Sequence, residues 1–156
     1  MMAQNERALY RAAVDINAAT PMKPQPDREL AKLHRIFFRI KEAIGSRTKG
    51  LSELSALYLF DENEAERLQC DGQCSRFKDG TTVIGLCVGI IEEQEYATMV
   101  LLHEIAHLEY WKHDKVFHEY LDKLIKVYNS ATGGTMKNDY IGLEEGTRKD
   151  SKNYMH

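Results

Sequence analysis

The segment "LLHEIAHLEYWKHDKVF", residues 101–117, places three histidines and several acidic residues within a hydrophobic run. His103, Glu104 and His107 form the pattern H-E-x-x-H. In a helix, residues i and i+4 lie about 40° apart around the axis, so both imidazoles point to one side and can hold one zinc ion. Glu104 is offset from that direction and can reach a zinc-bound water as a general base. The alternative, a purely polar groove, leaves buried polar groups that each cost about 1–3 kcal/mol unless paired.

A catalytic zinc usually takes a third protein ligand and keeps one position for water. His113 follows His107 by six residues, which is about 240° around a continuous helix and faces away from the ion. His113 can therefore bind only if the helix ends near Tyr110 or Trp111 and the chain turns back. Asp114 predicts this break, because aspartate is a preferred N-cap of a new helix. The other candidates for the third ligand are His118, Glu109, Glu144 and Glu145.

The rest of the sequence predicts an α+β fold. Apolar residues recur every three or four positions after Asp27, which predicts a helix that stops at Gly45. Residues 54–60, 66–72 and 81–90 are separated by turn signals and predict a small antiparallel sheet. This sheet should pack on the N-terminal helix and on a buried central helix, residues 92–110, that carries H-E-x-x-H. A final helix should bury one face, formed by Phe117, Leu121, Leu124, Ile125 and Tyr128.

The chain is long enough for one domain with a modest core. The three prolines, at positions 21, 24 and 26, predict an extended connector after a short helix over residues 5–18. The expected organisation is an N-terminal segment and connector over residues 1–26, a metallopeptidase-like domain over residues 27–130 and a polar tail over residues 131–156.

Composition excludes several functional classes. The net charge of -3, from 21 basic and 24 acidic residues, gives no general electrostatic reason to bind nucleic acid or a membrane. No apolar run approaches the roughly 18 residues that a membrane span needs, and the charged N-terminus is unlike a signal peptide. Three cysteines, Cys70, Cys74 and Cys87, are read as thiols of a reducing compartment, which predicts a cytoplasmic protein. A second metal on them would lack a fourth cysteine.

The segment "HEIAHLEYWKHDKVFHEYLDKL", residues 103–124, resembles the core of the WLM and SprT-like metalloprotease families. Their pattern is H-E-x-x-H, a short insert, a third histidine, an aromatic residue and a leucine-rich helix. In this sequence His113, Phe117, Leu121 and Leu124 match the later part of that pattern. The resemblance covers about residues 81–128.

This resemblance implies a minimal zincin-like domain with zinc peptidase activity. Zinc would be bound by His103, His107 and His113, and Glu104 would take the proton from the zinc-activated water. The substrate would be a protein or peptide, and association with DNA is implied by the resemblance alone, since known eukaryotic members act on DNA-crosslinked proteins. Tyr110 stands where metzincins have a glycine, so the turn after the second histidine must form without one.

Other functions use similar residues. A regulatory protease of a mobile element, of the ImmA-like kind, would share the chemistry and act on a repressor. A YbeY-like ribonuclease also uses three closely spaced histidines. It has glycine where this chain has Glu104, which counts against this function. A non-catalytic, metal-stabilised binding module would need a fourth protein ligand, for which His118 or a residue of the C-terminal tail is a candidate. The strand over residues 81–90 is expected either to pair with substrate as an edge strand or to lie in the core, and Tyr110 and Trp111 either to line the substrate groove or to close the core.

Overall fold

A computed structural model of the protein describes residues 14–15 and 28–138. The helices are α1 (Arg28–Ile44), α2 (Gly50–Glu53), α3 (Glu62–Leu68), α4 (Gln94–His107) and α5 (Lys115–Thr132). The strands are β1 (Val14–Asp15), β2 (Leu54–Phe60), β3 (Gly72–Arg76) and β4 (Thr82–Cys87). The fold is therefore α+β, as predicted. The expected proline connector and polar tail after residue 138 lie outside the described residues, and Val14–Asp15 is a strand where a helix was expected.

Helix α1 follows from the spacing of its apolar residues, which places them on one face against the core. The helix ends at Ile44, and Gly45 begins a short 3-10 turn, so the predicted stop is confirmed. An ion pair between Lys32 and Glu92 joins α1 to the segment that precedes α4.

The sheet is mixed, with strand order β1-β2-β4-β3. The pairs β1–β2 and β3–β4 are antiparallel, but β2 and β4 are parallel, so the prediction of an antiparallel sheet is wrong. The connection through α3 and β3 is long enough to return the chain in the same direction, as a parallel pair requires. Strand β4 therefore lies inside the sheet: the expectation of an edge strand at residues 81–90 is wrong and that of a core strand is confirmed.

A glycine in the central strand permits a contact across the sheet. Gly85 of β4 is in register with Tyr58 of β2 on one side and with Gln73 of β3 on the other. A Cβ atom at Gly85 would lie 2.4 Å from the Tyr58 ring, which crosses this position. The Tyr58 hydroxyl thereby reaches Gln73 and donates to its Oε1 at 3.1 Å. This buried bond joins the two strands that flank β4.

Helix α3 replaces a strand that was expected over residues 66–72. The Asp61 side chain caps the helix by accepting a hydrogen bond from the backbone N–H of Glu64 at 2.8 Å. Residues Glu62–Leu68 are mostly good helix formers, and Gln69 ends the helix in the left-handed conformation, with φ of 58°. The local capping signal was missed, and strand β3 begins only at Gly72.

Helix α4 is the central helix of the domain, as predicted. It packs against α1 and α5 and against β3 and β4. From Ala97 to His107 every residue is buried, including the four polar residues Thr98, His103, Glu104 and His107. The predicted inner face of α5 is also buried. None of the helices in the described residues combines the length and apolar character needed to cross a membrane.

Candidate metal centre

The chain breaks between α4 and α5 where the sequence predicted it. Helix α4 ends at His107, and Asp114 caps α5 by accepting a hydrogen bond from the N–H of Phe117 at 3.0 Å. The Tyr110 N–H still bonds to the carbonyl of Ala106 at 3.0 Å, which closes the last turn. Among described residues other than glycine, only Gln69 has a positive φ, so this turn does not need glycine at position 110.

The break brings three histidines together. The Nε2 atoms of His103 and His107 are 3.2 Å apart, those of His103 and His113 are 3.1 Å apart, and those of His107 and His113 are 2.8 Å apart. Four-coordinate zinc with Zn–N bonds of about 2.0–2.1 Å holds its nitrogen ligands about 3.3 Å apart. His103 and His107 are fully buried, whereas His113 is partly exposed. The group could therefore hold a metal ion that is reached from the His113 side.

The orientation of His107 is set by the break itself. Its Nδ1 lies 3.0 Å from the carbonyl oxygen of Tyr110. A carbonyl only accepts, so Nδ1 must carry the ring proton for this bond to form, and Nε2 then offers a lone pair to the other two histidines. Metal-binding histidines are commonly oriented in this way by a backbone carbonyl. The donor set thus fits a cation.

The ring of Phe117 contacts all three histidines. Its ring centroid lies 4.9 Å from that of His103, 4.5 Å from His107 and 5.1 Å from His113. Phe117 is fully buried and packs against all three rings. The ring of Trp111 is nearly parallel to that of His107, at an angle of 16° and a centroid distance of 6.4 Å.

Glu104 follows His103 on α4 and is fully buried. Strand β3 passes so close to it that a Cβ atom at Gly72 would lie 2.9 Å from Glu104 Oε2 and 2.6 Å from Val100 Cγ1. Both separations are below normal van der Waals contact, so the space beside the carboxylate requires a glycine. Because Gly72 has no side chain, the backbone at the start of β3 packs directly against Glu104.

Replacing Gly72 with alanine is expected to lower the free energy of unfolding by about 1–3 kcal/mol, because the added methyl group overpacks this contact. Urea denaturation of the variant measures the change. Ser75→Ala, which adds no volume at a buried position of the same strand, is the control and should have the smaller effect. Equal stability of Gly72→Ala and the unaltered protein would contradict the tight packing.

The other candidate ligands lie outside the histidine group. Glu109 Oε1 accepts hydrogen bonds from the N–H of Gly50 at 3.0 Å and from the hydroxyl of Thr48 at 3.3 Å, which connects the chain just after α4 to the start of α2. His118 stacks near His113 at a centroid distance of 6.5 Å. Burial and the neighbouring His113 lower the pKa of His118. Glu144 and Glu145 lie outside the described residues.

The three cysteines are free, buried thiols. Cys74 belongs to the main core, whereas Cys70 and Cys87 lie in a smaller cluster with Tyr58. Burial raises the pKa of Cys87 to about 11, which disfavours the thiolate that a metal binds. Within the described residues the histidines form the only group of three candidate ligands, so a second metal on the cysteines finds no support.

Sequence reasoning missed the strand that lies beside the site. This strand is β3, at the edge of the sheet, where Gly72 packs on Glu104 and the Arg76 guanidinium lies 5.0 Å from the Trp111 ring centroid. The glycine in "CDGQC" was read only as a turn signal. Its position in the first residue of a buried strand could have suggested a close backbone approach. Trp111 is half-buried and packs against the core, while Tyr110 is largely exposed.

Residues 92–155 match the family model of the WLM domain. The match includes α4, the break and α5, and it confirms the resemblance to a WLM-like family that the motif suggested. The WLM domain is a metalloprotease-type domain, which fits a zinc-dependent peptidase in general. Comparisons with curated proteins and with solved structures give no significant match.

Proposed function

Starting from the WLM-domain match over residues 92–155, we propose that the protein is a zinc-dependent peptidase. His103, His107 and His113 would hold the ion, and Glu104 would be the general base. The observation that carries this proposal is that three imidazole Nε2 atoms lie within 3.2 Å of one another. Two of the histidines are on α4, which also carries the buried Glu104, and the third is in the turn that follows this helix. Protein or peptide is the substrate class that a metalloprotease-type domain acts on.

The histidines fit the ion in number as well as in spacing. When bound by three protein ligands, zinc lowers the pKa of water and polarises a carbonyl oxygen. The chain itself orients and shields the ligands: the Tyr110 carbonyl fixes the ring of His107, and Phe117 packs against all three imidazoles. Partial exposure of His113 leaves one side of the group accessible to a substrate.

Glu104 is suited to move protons rather than to bind the ion. It is adjacent to His103 on a buried helix, so its carboxylate is offset from the direction in which the two helical histidines point. In the proposed reaction it accepts a proton from the attacking water and delivers this proton to the leaving nitrogen. The contact with Gly72 restricts the carboxylate to a narrow space beside β3.

A closed, non-catalytic metal site is less well supported. Such a site needs a fourth protein ligand in place of water. His118, the nearest candidate in the sequence, does not join the group of ligand atoms that lie within 4.8 Å of one another in the described residues. An ImmA-like protease would use the same chemistry on a repressor. DNA-linked substrates rest on the family resemblance alone, and a cytoplasmic location stays a prediction.

The proposal predicts that the purified protein contains one equivalent of zinc and hydrolyses casein or its own chain. Removal of the ion with a chelator should abolish hydrolysis and lower Tm, and added zinc should restore both, because an ion that binds only the native state stabilises it by about 4 kcal/mol at a thousandfold excess over Kd. Elemental analysis, a proteolysis assay and thermal unfolding provide the measurements. A metal-free protein whose Tm does not respond to chelator or to zinc would refute the proposal.

A further inference from the structure

One side of helix α4 extends from its first turn to the proposed general base. Tyr96, Val100 and Glu104 are four residues apart, so each lies about 40° around the helix from the one before and all three face in a similar direction. Tyr96 is partly buried, whereas Val100 and Glu104 are fully buried. This side of α4 meets two consecutive residues, Asp71 and Gly72, where β3 begins.

Tyr96 bonds to the residue that precedes β3. Its hydroxyl donates a hydrogen bond to Oδ2 of Asp71, and the two oxygens are 2.8 Å apart. The backbone carbonyl of the same aspartate accepts a hydrogen bond, also of 2.8 Å, from the N–H of Cys87, the last residue of β4. Asp71 is therefore bonded to the sheet through its main chain and to α4 through its side chain.

Gly72 follows Asp71 directly and is in close contact with α4. A Cβ atom at Gly72 would lie 2.6 Å from Cγ1 of Val100 and 2.9 Å from Oε2 of Glu104. Because consecutive Cα atoms are about 3.8 Å apart, the position of Asp71 limits how closely the backbone of Gly72 approaches the carboxylate. Tyr96 lies about 12 Å from Glu104 along the helix axis, so its hydrogen bond acts on this carboxylate through the start of β3.

We infer that Tyr96 and Asp71 are positioning residues: their hydrogen bond holds the start of β3 against α4 and thereby keeps the Glu104 carboxylate where it can take a proton. A general base acts only within hydrogen-bond reach of that proton, and a displacement of about 1 Å can cost about 100-fold in rate. The role in proton transfer rests on the proposed peptidase function. The effect of the hydrogen bond on the contact between Gly72 and Glu104 does not.

A second tyrosine provides a matched control on the opposite face of β3. Gln73 accepts a hydrogen bond from the hydroxyl of Tyr58 at 3.1 Å. Successive side chains of a strand alternate between the two faces of the sheet, so Gln73 points away from the face on which Gly72 meets α4. Tyr58→Phe and Tyr96→Phe each remove a hydroxyl that bonds to this part of the chain, but only the bond of Tyr96 joins it to α4.

The first test needs no turnover and uses urea denaturation of the full chain in one zinc-containing buffer. Gly72→Ala should lower the urea midpoint, because its methyl group overpacks the contact with Val100 and Glu104. In the Tyr96→Phe background the start of β3 is free to move away from α4, so Gly72→Ala should lower the midpoint only about half as much. In the Tyr58→Phe background Gly72→Ala should keep its full effect.

The second test measures hydrolysis of fluorescently labelled casein by the zinc-loaded full chain. Tyr96→Phe should lower kcat about tenfold, while KM and the zinc content stay within about twofold, because only the general base is displaced. Asp71→Ala should lower kcat as much, and the double variant should lose no more than either single variant. Asp71→Asn keeps an oxygen that accepts the tyrosine proton, so it should retain most of kcat. Tyr58→Phe should hydrolyse casein at the rate of the unaltered protein.

The outcomes separate the two proposals. A reduced effect of Gly72→Ala in Tyr96→Phe, together with a loss of kcat that Asp71→Asn avoids, supports both. The same reduced effect in a chain that hydrolyses no casein supports the positioning of Glu104 and contradicts the peptidase function. An equal effect of Gly72→Ala with and without the Tyr96 hydroxyl shows that the inference is wrong. It is also wrong if an active enzyme loses kcat equally in Tyr96→Phe and Tyr58→Phe, or in neither.

Discussion

Replacing Glu104 with glutamine is expected to lower kcat by about 10²–10⁴-fold while the protein retains one equivalent of zinc. Glutamine has nearly the same shape as glutamate and should keep the close contact with Gly72, but its amide cannot accept the proton that hydrolysis requires. Because Glu104 lies outside the group of candidate ligands, its loss should leave the ion bound. Steady-state proteolysis assays and elemental analysis of the same preparation measure the two quantities.

Glu119→Gln is the matched control, since Glu119 lies on α5, is 64% exposed and pairs only loosely with Lys115 at 3.7 Å. This variant should hydrolyse substrate at the rate of the unaltered protein. Turnover by Glu104→Gln at that rate would show that another group is the base. Loss of zinc from Glu104→Gln would instead show that Glu104 takes part in binding the ion.

Replacing His113 with alanine is expected to weaken zinc binding by more than about 100-fold, since even residues that merely orient a ligand contribute 10- to 100-fold. Hydrolysis should fall with it. His113 is partly exposed in the turn, so its removal should leave the core intact. The cap of α5 is formed by the Asp114 side chain and should also persist. Competition with a chromophoric chelator gives the zinc affinity, and circular dichroism gives the helix content.

His118→Ala distinguishes the third ligand from its neighbour. Both histidines are partly buried and lie close together, but only His113 belongs to the group that converges on one point. His118→Ala should therefore bind zinc within a few-fold of the unaltered protein. The opposite result, with zinc lost in His118→Ala and kept in His113→Ala, would exchange the roles of the two residues.

The helical features could be predicted from the sequence because their signals are local. The period of apolar residues predicted α1 and the inner face of α5, and an almost continuous apolar run predicted α4. The angular separation of His107 and His113 required a break, and Asp114 located the start of the next helix. The convergence of the three histidines was then expected from helix geometry together with the third protein ligand that a catalytic zinc usually takes.

The sheet could not be predicted in the same way. Alternating apolar residues show that Leu54–Phe60 and Thr82–Cys87 are strands but not which neighbour each one selects or in which direction. The parallel pairing of these strands depends on the length and path of the intervening chain. Because the capping role of Asp61 was not recognised, part of α3 was predicted as a strand, and the path of the chain between β2 and β4 was predicted wrongly.

Because the order of the strands was not predicted, the residues of β3 that lie beside the site were missed as well. Gly72 and Arg76 come next to Glu104 and Trp111 only because β3 is at the edge of the sheet and β4 is inside it. No local pattern around residue 76 indicates that Arg76 lies over the ring of Trp111. The proposed metal ligands were therefore predicted from local sequence, whereas the contacts of β3 with Glu104 and Trp111 depend on the order of the strands.

Three imidazoles without a thiolate or carboxylate give a ligand set that many first-row ions accept. Sites of this kind bind divalent ions with affinities that rise from manganese to copper and fall again at zinc, whatever ion the reaction needs. The ion held by the proposed site would then depend on the concentrations of free metals where the chain folds. The metals supplied during expression would therefore decide which ion the purified protein contains. Zinc should be provided in controlled amounts whenever the chain is produced.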